Sequence, residues 1–236
     1  PTKNTPIARC ETASLYTQGA LRNYARLFEA PPDVAARLES LAQTLEDDTA
    51  TLMGAQAEYR SAVLALIPLR FQIKVIDLKA DTIVRSVKRA AEEAGKDISS
   101  ALFPNGMTPI IRPVGRTQVD ALRALEARIG AASRWAARDE QLARVVAVRT
   151  EYEALLDQRR DAMAAAAAKR AARNAAKEDF LDVMASLAGA VREIFPRDRK
   201  RQDLFFDELF RSRRPRGSDA TDVEDVDEDV DDDADE

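Results

Sequence analysis

Apolar residues recur at helical spacing along most of the chain. From residue 34 they read Val34, Leu38, Leu41, Leu45, Leu52, Tyr59 and Leu66, a heptad-like stripe. Past Pro68 the pattern resumes as Leu69, Ile73, Ile76, Ala80, Ile83, Val87 and Ala90, with its phase slipped by one position. A second stripe runs Val119, Leu122, Leu125, Ile129, Trp135, Leu142, Val145, Tyr152, Leu155 and Leu156. Between Met163 and Phe180 every apolar residue is alanine, after which Phe180, Val183, Met184, Leu187, Val191 and Ile194 restore the helical pattern.

Proline and glycine bound these runs. Pro31 and Pro32 suit a first helical turn, Asp33 complements the positive end of the helix dipole, and Gly95 is placed to end the helix. Thr117 and Asp120 form a relative of the capping box. The pattern therefore predicts a short helix over 12–28 and a long one over 32–94, kinked at Pro68 by a lost hydrogen bond and a ring clash. A connector over 95–115 follows, then a second long helix from 116 to as far as 195, and a short helix over 202–210. Residues 32–94 and 116–178 are each 63 long, which predicts an antiparallel hairpin. At ~1.5 Å per residue each arm would reach about 95 Å. In that pairing Tyr59 meets Tyr152, Ile76 meets Trp135, and the alanine run faces Val34, Leu38, Leu41 and Leu45. Helix 12–28 and residues 180–195 would cover the open end as a four-helix layer. In the connector, Phe103, Met107, Ile110 and Ile111 read as a folded cap over the hairpin tip, with an exposed apolar docking tip as the alternative, and Pro104-Asn105-Gly106 as a turn.

The expected fold class is all-α, an elongated antiparallel helical hairpin or coiled-coil-like bundle with extra short helices and a disordered acidic C-terminal tail. Its expected parts are a flexible N-terminus (1–11), the bundle (12–195), a basic segment with a Phe-rich helix (196–217) and the tail (218–236). Composition agrees, with 33% charged residues, 6% aromatics and only 8 Gly in 236 residues.

Charge divides the chain unevenly. The net charge is −5, yet residues 219–236 carry 12 acidic groups and no basic one, leaving residues 1–218 at +7. So acidic a tail cannot bury enough apolar surface to fold alone. A single cysteine, Cys10, allows no internal disulfide and reads as an incidental thiol. With no apolar leader at the start and no run near the ~20 residues needed to span a bilayer, the expected location is the cytoplasm.

No histidine occurs. That removes imidazole bases, His-paired nucleophiles, His-ligated zinc and the Glu-x-x-His di-iron site. No Gly-rich phosphate loop is present either. Asp77 and Asp81 share a helix face at Mg²⁺-compatible spacing, but Lys74 and Arg85 lie within ion-pair reach, so the face reads as charged and solvated. No enzyme activity, cofactor, metal or small-molecule substrate is expected.

Binding roles remain. Leu204, Phe205, Phe206, Leu209 and Phe210 crowd a nine-residue segment and read as a helix that enters a groove, either a partner's or the protein's own. Arg197, Arg199, Lys200 and Arg201, with Arg211, Arg213, Arg214 and Arg216, form two dense basic clusters. They suit nucleic acid or an anionic membrane, with the acidic tail tethered beside them as an internal competitor. The expectation is a scaffold or adaptor acting through a protein partner or self-association. The alternative is an anion binder restrained by its tail.

Overall fold

A computed structural model describes residues 1–206, and these are helical with no strand. The elements are α1 (Ile7–Leu27), α2 (Pro32–Leu64), α3 (Leu66–Ala94), α4 (Lys96–Leu102), α5 (Thr108–Ile111), α6 (Gly115–Ala131), α7 (Arg138–Ile194) and α8 (Arg199–Asp203). The all-α elongated bundle stands. The acidic tail and the end of the Phe-rich segment lie outside the described residues.

Several boundaries fall where local chemistry puts them. Pro32 occupies the first turn of α2, with Asp33 beside it. Pro68 cannot donate to Leu64, so the ladder breaks at Ala65 and Pro68 sits in the first turn of α3, where a missing N–H costs nothing. Gly95 ends α3 at φ 134°, a conformation that a side chain resists. The connector folds into α4 and α5, and Phe103 and Ile110 are buried there with Met107 and Ile111 packed against the core. The folded cap is what forms.

The second long helix is not continuous. It breaks between Ala131 and Arg138, where Trp135 turns into the core. α6 therefore folds back antiparallel on the start of α7. Arg123 bonds Glu153 at 2.8 Å, Arg149 bonds Glu126 at 2.6 Å, and Arg116 pairs with Asp157. The Arg149–Glu126 pair is the most sheltered of the ion pairs between described residues, with side chains 16% and 13% exposed.

This break shifts the hairpin register. α7 runs antiparallel to α2 and α3, with Arg37 to Glu193 at 2.5 Å, Glu58 to Lys169 at 2.7 Å and Lys79 to Glu151 at 2.5 Å. Tyr59 consequently lies under Arg173, 4.5 Å from guanidinium carbon to ring centre, rather than beside Tyr152. That is a displacement of about 20 residues, roughly 30 Å along a helix. Ile76 and Trp135 do share one core, but Tyr152 reaches the residue after Ile76, Asp77. Val34, Leu38, Leu41 and Leu45 pack in one core with Phe180, Met184, Leu187 and Val191, which only Ala176 of the alanine run joins.

Two separate cores result. The tip core joins α3, α4, α5, α6 and the first part of α7 around Ile76, Val84, Leu122, Leu125, Ile129, Trp135 and Tyr152. The open-end core joins α1, α2, the last part of α7 and the turn after α8 around Leu21, Leu38, Leu45, Leu52, Phe180 and Phe205. Residues 1–11, expected to be free, belong to this end. α1 already starts at Ile7, Cys10 is fully buried, and Lys3 bonds Glu178 at 3.0 Å. Buried hydroxyls register α1 on α2: Gln18 donates to Ser14 at 2.8 Å, Ser14 meets Thr49 at 2.5 Å, and Thr49 donates to the Leu45 carbonyl at 2.6 Å.

Candidate functional site

Between the two cores lies a waist. Here the α2–α3 rod meets α7 through its alanine run, of which only Ala166 is buried. Alanine brings the two helices close and leaves nothing large on α7 to cover its neighbour. The rod is apolar on two opposite sides at this level. Leu66, Ile76, Ala80, Val84 and Val87 are buried. Leu64, Ile67, Phe71, Val75 and Leu78 point the other way and are 48–68% exposed.

These five exposed residues follow one another at steps of three, four, four and three, so they form a single line along one helix face. The line spans about 21 Å at ~1.5 Å per residue. It also continues the side of the rod that α1 occupies nearer the open end. Glu46 and Thr49, which meet α1, fall in the same sector of a helical wheel as Leu64, Phe71 and Leu78. α1 begins at Ile7, about two turns past the Ser14–Thr49 contact, and leaves the rest of that side bare. Isolated exposed leucines are ordinary on a monomer, but a contiguous apolar line is not.

The rim of the stripe is basic. Arg60, Arg70, Lys74 and Arg85 flank or interrupt it and are exposed. Among the described residues Arg60, Arg70 and Lys74 have no hydrogen-bond or ion-pair partner. The nearby carboxylates are engaged elsewhere. Asp77 accepts from the Tyr152 hydroxyl at 3.3 Å, and that oxygen accepts the Gly115 N–H at 2.9 Å. Asp81 accepts from Gln118 Nε2 at 3.0 Å. Burial, then the neighbouring Asp77 charge, pushes the Asp81 carboxyl above its ordinary range against the pull of Arg85. Burial likewise pushes the Tyr152 phenol up to about 12. Asp77 and Asp81 are thus half-buried struts holding the tip together rather than a solvated charged face. Among the described residues no group of three or more Cys, Asp or Glu is placed to hold a metal.

The other candidate residues lie at the open end. Phe205 is fully buried, stacked on Phe195 at 5.5 Å and tilted against Tyr24 at 5.1 Å. Phe206 packs against the same core. Leu204 is exposed, and its carbonyl accepts the Tyr16 hydroxyl at 3.2 Å. The Phe-rich segment thus docks, as far as Phe206, on its own bundle just after α8, and the remainder of the expected helix over 202–210 lies outside the described residues. Leu209 and Phe210 lie outside the described residues. Of the basic residues, Arg197, Arg199 and Lys200 are exposed, while Arg201 pairs with Asp198 at 3.1 Å. Arg211, Arg213, Arg214 and Arg216 lie outside the described residues. Cys10 is sealed in the core, and burial pushes its thiol up, away from the reactive thiolate. No helix among the described residues is long and apolar enough to cross a membrane.

The chain matches no family model, no curated protein and no solved structure.

Proposed function

We propose that the protein is a non-enzymatic helical scaffold or adaptor that docks a partner helix along its waist. The observation that carries this reading is the line Leu64, Ile67, Phe71, Val75 and Leu78, apolar, exposed and straight. An amphipathic helix laid on it would bury large side chains worth about 1.5–3 kcal/mol each before the costs of association. The alanine run supports the same reading only in that α7 carries nothing large enough to reach round and cover the stripe. Helix-in-groove docking uses anchors at this spacing. Trp135 and Tyr152 hold the tip core and Tyr59 lines the inner face, so all three serve the frame.

A second copy is a poorer occupant than a partner of opposite charge. Antiparallel pairing of two such stripes about Phe71 gathers Arg70 and Lys74 of both copies along one short seam, and like charges so close repel. The waist asks for an acidic amphipathic helix. The alternative reading, binding of nucleic acid or an anionic membrane through the basic clusters, draws on the exposed Arg197, Arg199 and Lys200. Its signature would be salt-steep binding to duplex DNA or anionic vesicles.

Phe71→Glu with Val75→Glu tests the proposal. Both side chains are exposed, so circular dichroism should report an unchanged helix content and melting temperature. Affinity capture from extract is expected to retain a partner on the wild-type protein and lose it on the double variant. A retained set that the substitutions do not alter, or none at all, overturns the assignment.

A further inference from the structure

The waist is open on one definite side, and the charges of that side come from both arms. We infer that the partner's acidic helix seats in the groove between α2–α3 and α7, where Arg159 and Arg170 of α7 select it by its carboxylates. Its apolar face lies on the stripe. This rests on the reading of the stripe as a docking surface and adds the second arm, the seat and its limits.

Two lines of residues define the side. On α3, Arg70, Lys74, Asp77 and Asp81 follow at steps of four, three and four. On α7, Tyr152, Arg159, Met163, Arg170 and Lys177 follow at steps of seven, four, seven and seven. The bond from the Tyr152 hydroxyl to Asp77, at 3.3 Å, shows that both lines face one groove. The Glu58–Lys169 and Lys79–Glu151 pairs set the register of the arms. That register puts Arg159 level with Arg70, and Arg170 level with Arg60.

A third helix covers this side at each end. At the tip α6 opens in the groove, its Gly115 N–H on the Tyr152 oxygen at 2.9 Å and its Gln118 on Asp81 at 3.0 Å. At the open end α1 lies on α2 through Ser14 and Thr49, and Lys177 donates to the Lys3 carbonyl at 2.7 Å just before α1 begins. From Tyr152 to Lys177 the groove runs about 37 Å at ~1.5 Å per residue. A helix of about 20 residues fits there and continues the layer that α1 and α6 form. A flat bilayer surface does not reach the floor, because those two helices stand above it at either end.

Charge decides the kind of helix. No acidic residue lies between Glu58 and Asp77, and none between Asp161 and Glu178. Arg60, Arg70, Lys74, Arg159 and Arg170 have no hydrogen-bond or ion-pair partner among the described residues. The carboxylates of α7 nearer the tip are taken, Glu153 by Arg123 and Arg149 and Asp157 by Arg116 and Arg160. Both helix ends that face the groove are amino-terminal, with no acidic residue in the first turn, which adds to a sign the side chains already set. Carboxylates ranged beside an apolar helix face match this surface. Nucleic-acid phosphates match the cations alone and leave the exposed Leu, Ile, Phe and Val side chains without a partner.

Arg159 and Arg170 stand on the arm that does not carry the stripe, so they report on the groove separately from it. Neither belongs to a core. Reversing both charges should weaken an acidic helix about tenfold, since charge pairs across an interface act together on selection. Arg159→Gln with Arg170→Gln, which adds no negative charge, should weaken it less.

Fluorescence anisotropy on the full chain tests the inference with two labelled peptides of about three heptads. Both carry leucine at heptad positions a and d, and one has glutamate where the other has lysine at e and g. Wild type should bind the glutamate peptide and not the lysine one. Arg159→Glu with Arg170→Glu should bind the glutamate peptide about tenfold more weakly and the lysine peptide better than wild type does, with an unchanged circular dichroism spectrum and melting temperature. Four results overturn the inference: no binding of the glutamate peptide at low salt, equal binding of both peptides, an affinity that the double variant leaves unaltered, or duplex DNA or anionic vesicles held in its place by the same two arginines. An unaltered affinity there, with binding still lost in the Phe71→Glu, Val75→Glu variant, would remove the α7 contribution alone. Binding that survives in both variants would remove the stripe as well.

Discussion

At the scale of single residues, the tip is held by polar groups that the hydrophobic pattern does not reveal. Tyr152 was legible as a core position, and its burial follows. What it does there was not legible. Its hydroxyl joins the Gly115 N–H, which opens α6, to Asp77 on α3, because the break before α7 brings three distant segments to one point. Tyr152→Phe leaves the Gly115 N–H without its acceptor and should cost about 1–2 kcal/mol in urea unfolding. Asp81 gives a pH-dependent expectation. Its pKa is raised in the fold, so the folded state binds the proton more tightly than the unfolded state does. The resulting destabilisation is absent below the ordinary value of 3.8 and grows as the pH rises through the raised one. Asp81→Asn removes that charge and also sets an amide N–H near Gln118 Oε1, which is buried without a partner among the described residues. The variant should melt a few degrees higher than wild type at neutral pH, and the difference should vanish by about pH 3. A gain that persists at acid pH would mean that the amide contact, not the charge, is responsible.

At the scale of elements, helix starts and stops were readable from local chemistry, while register was not. Pro31 and Pro32, Pro68 and Gly95 each act through the backbone of their own turn, so the sequence shows their effect directly. Register depends on where the chain reverses. Two segments of equal length suggested one reversal at the connector, but α6 and α7 are separated by a second. The signal for it is the step of six from Ile129 to Trp135, which no helix face accommodates, next to Gly130 and Ser133. The register itself can be checked by oxidation and peptide mapping. A Lys79→Cys, Glu151→Cys pair should form a disulfide, and a Tyr59→Cys, Tyr152→Cys pair should not. The turn after α8 offers a second test. Phe205 fills the open-end core, so Phe205→Ala should lower stability by about 3 kcal/mol. The loss should appear in the helical signal of the open end, while Trp135 fluorescence at the tip shifts less.

At the scale of the whole molecule, two cores share one long helix, and the waist between them is two helices thick. The sequence identified Leu69, Ile73 and Ile76 as the inner face of this stretch. Ile67, Phe71, Val75 and Leu78 lie on the opposite face, and periodicity alone cannot say which of two apolar faces is covered. That depends on α1 ending short of the waist and α6 reaching only its far border, both consequences of folding that no local pattern encodes. Uncovered, the stripe is the most consequential surface of the described chain. Its role as a helix-docking site is tested most directly by a photoreactive phenylalanine analogue at position 71, with the same group at Gln72 as a control 100° around the helix. A discrete adduct from position 71 and none from position 72 is the predicted result. Equal labelling from both positions, or none from either, would contradict the claim that this face is built to be covered.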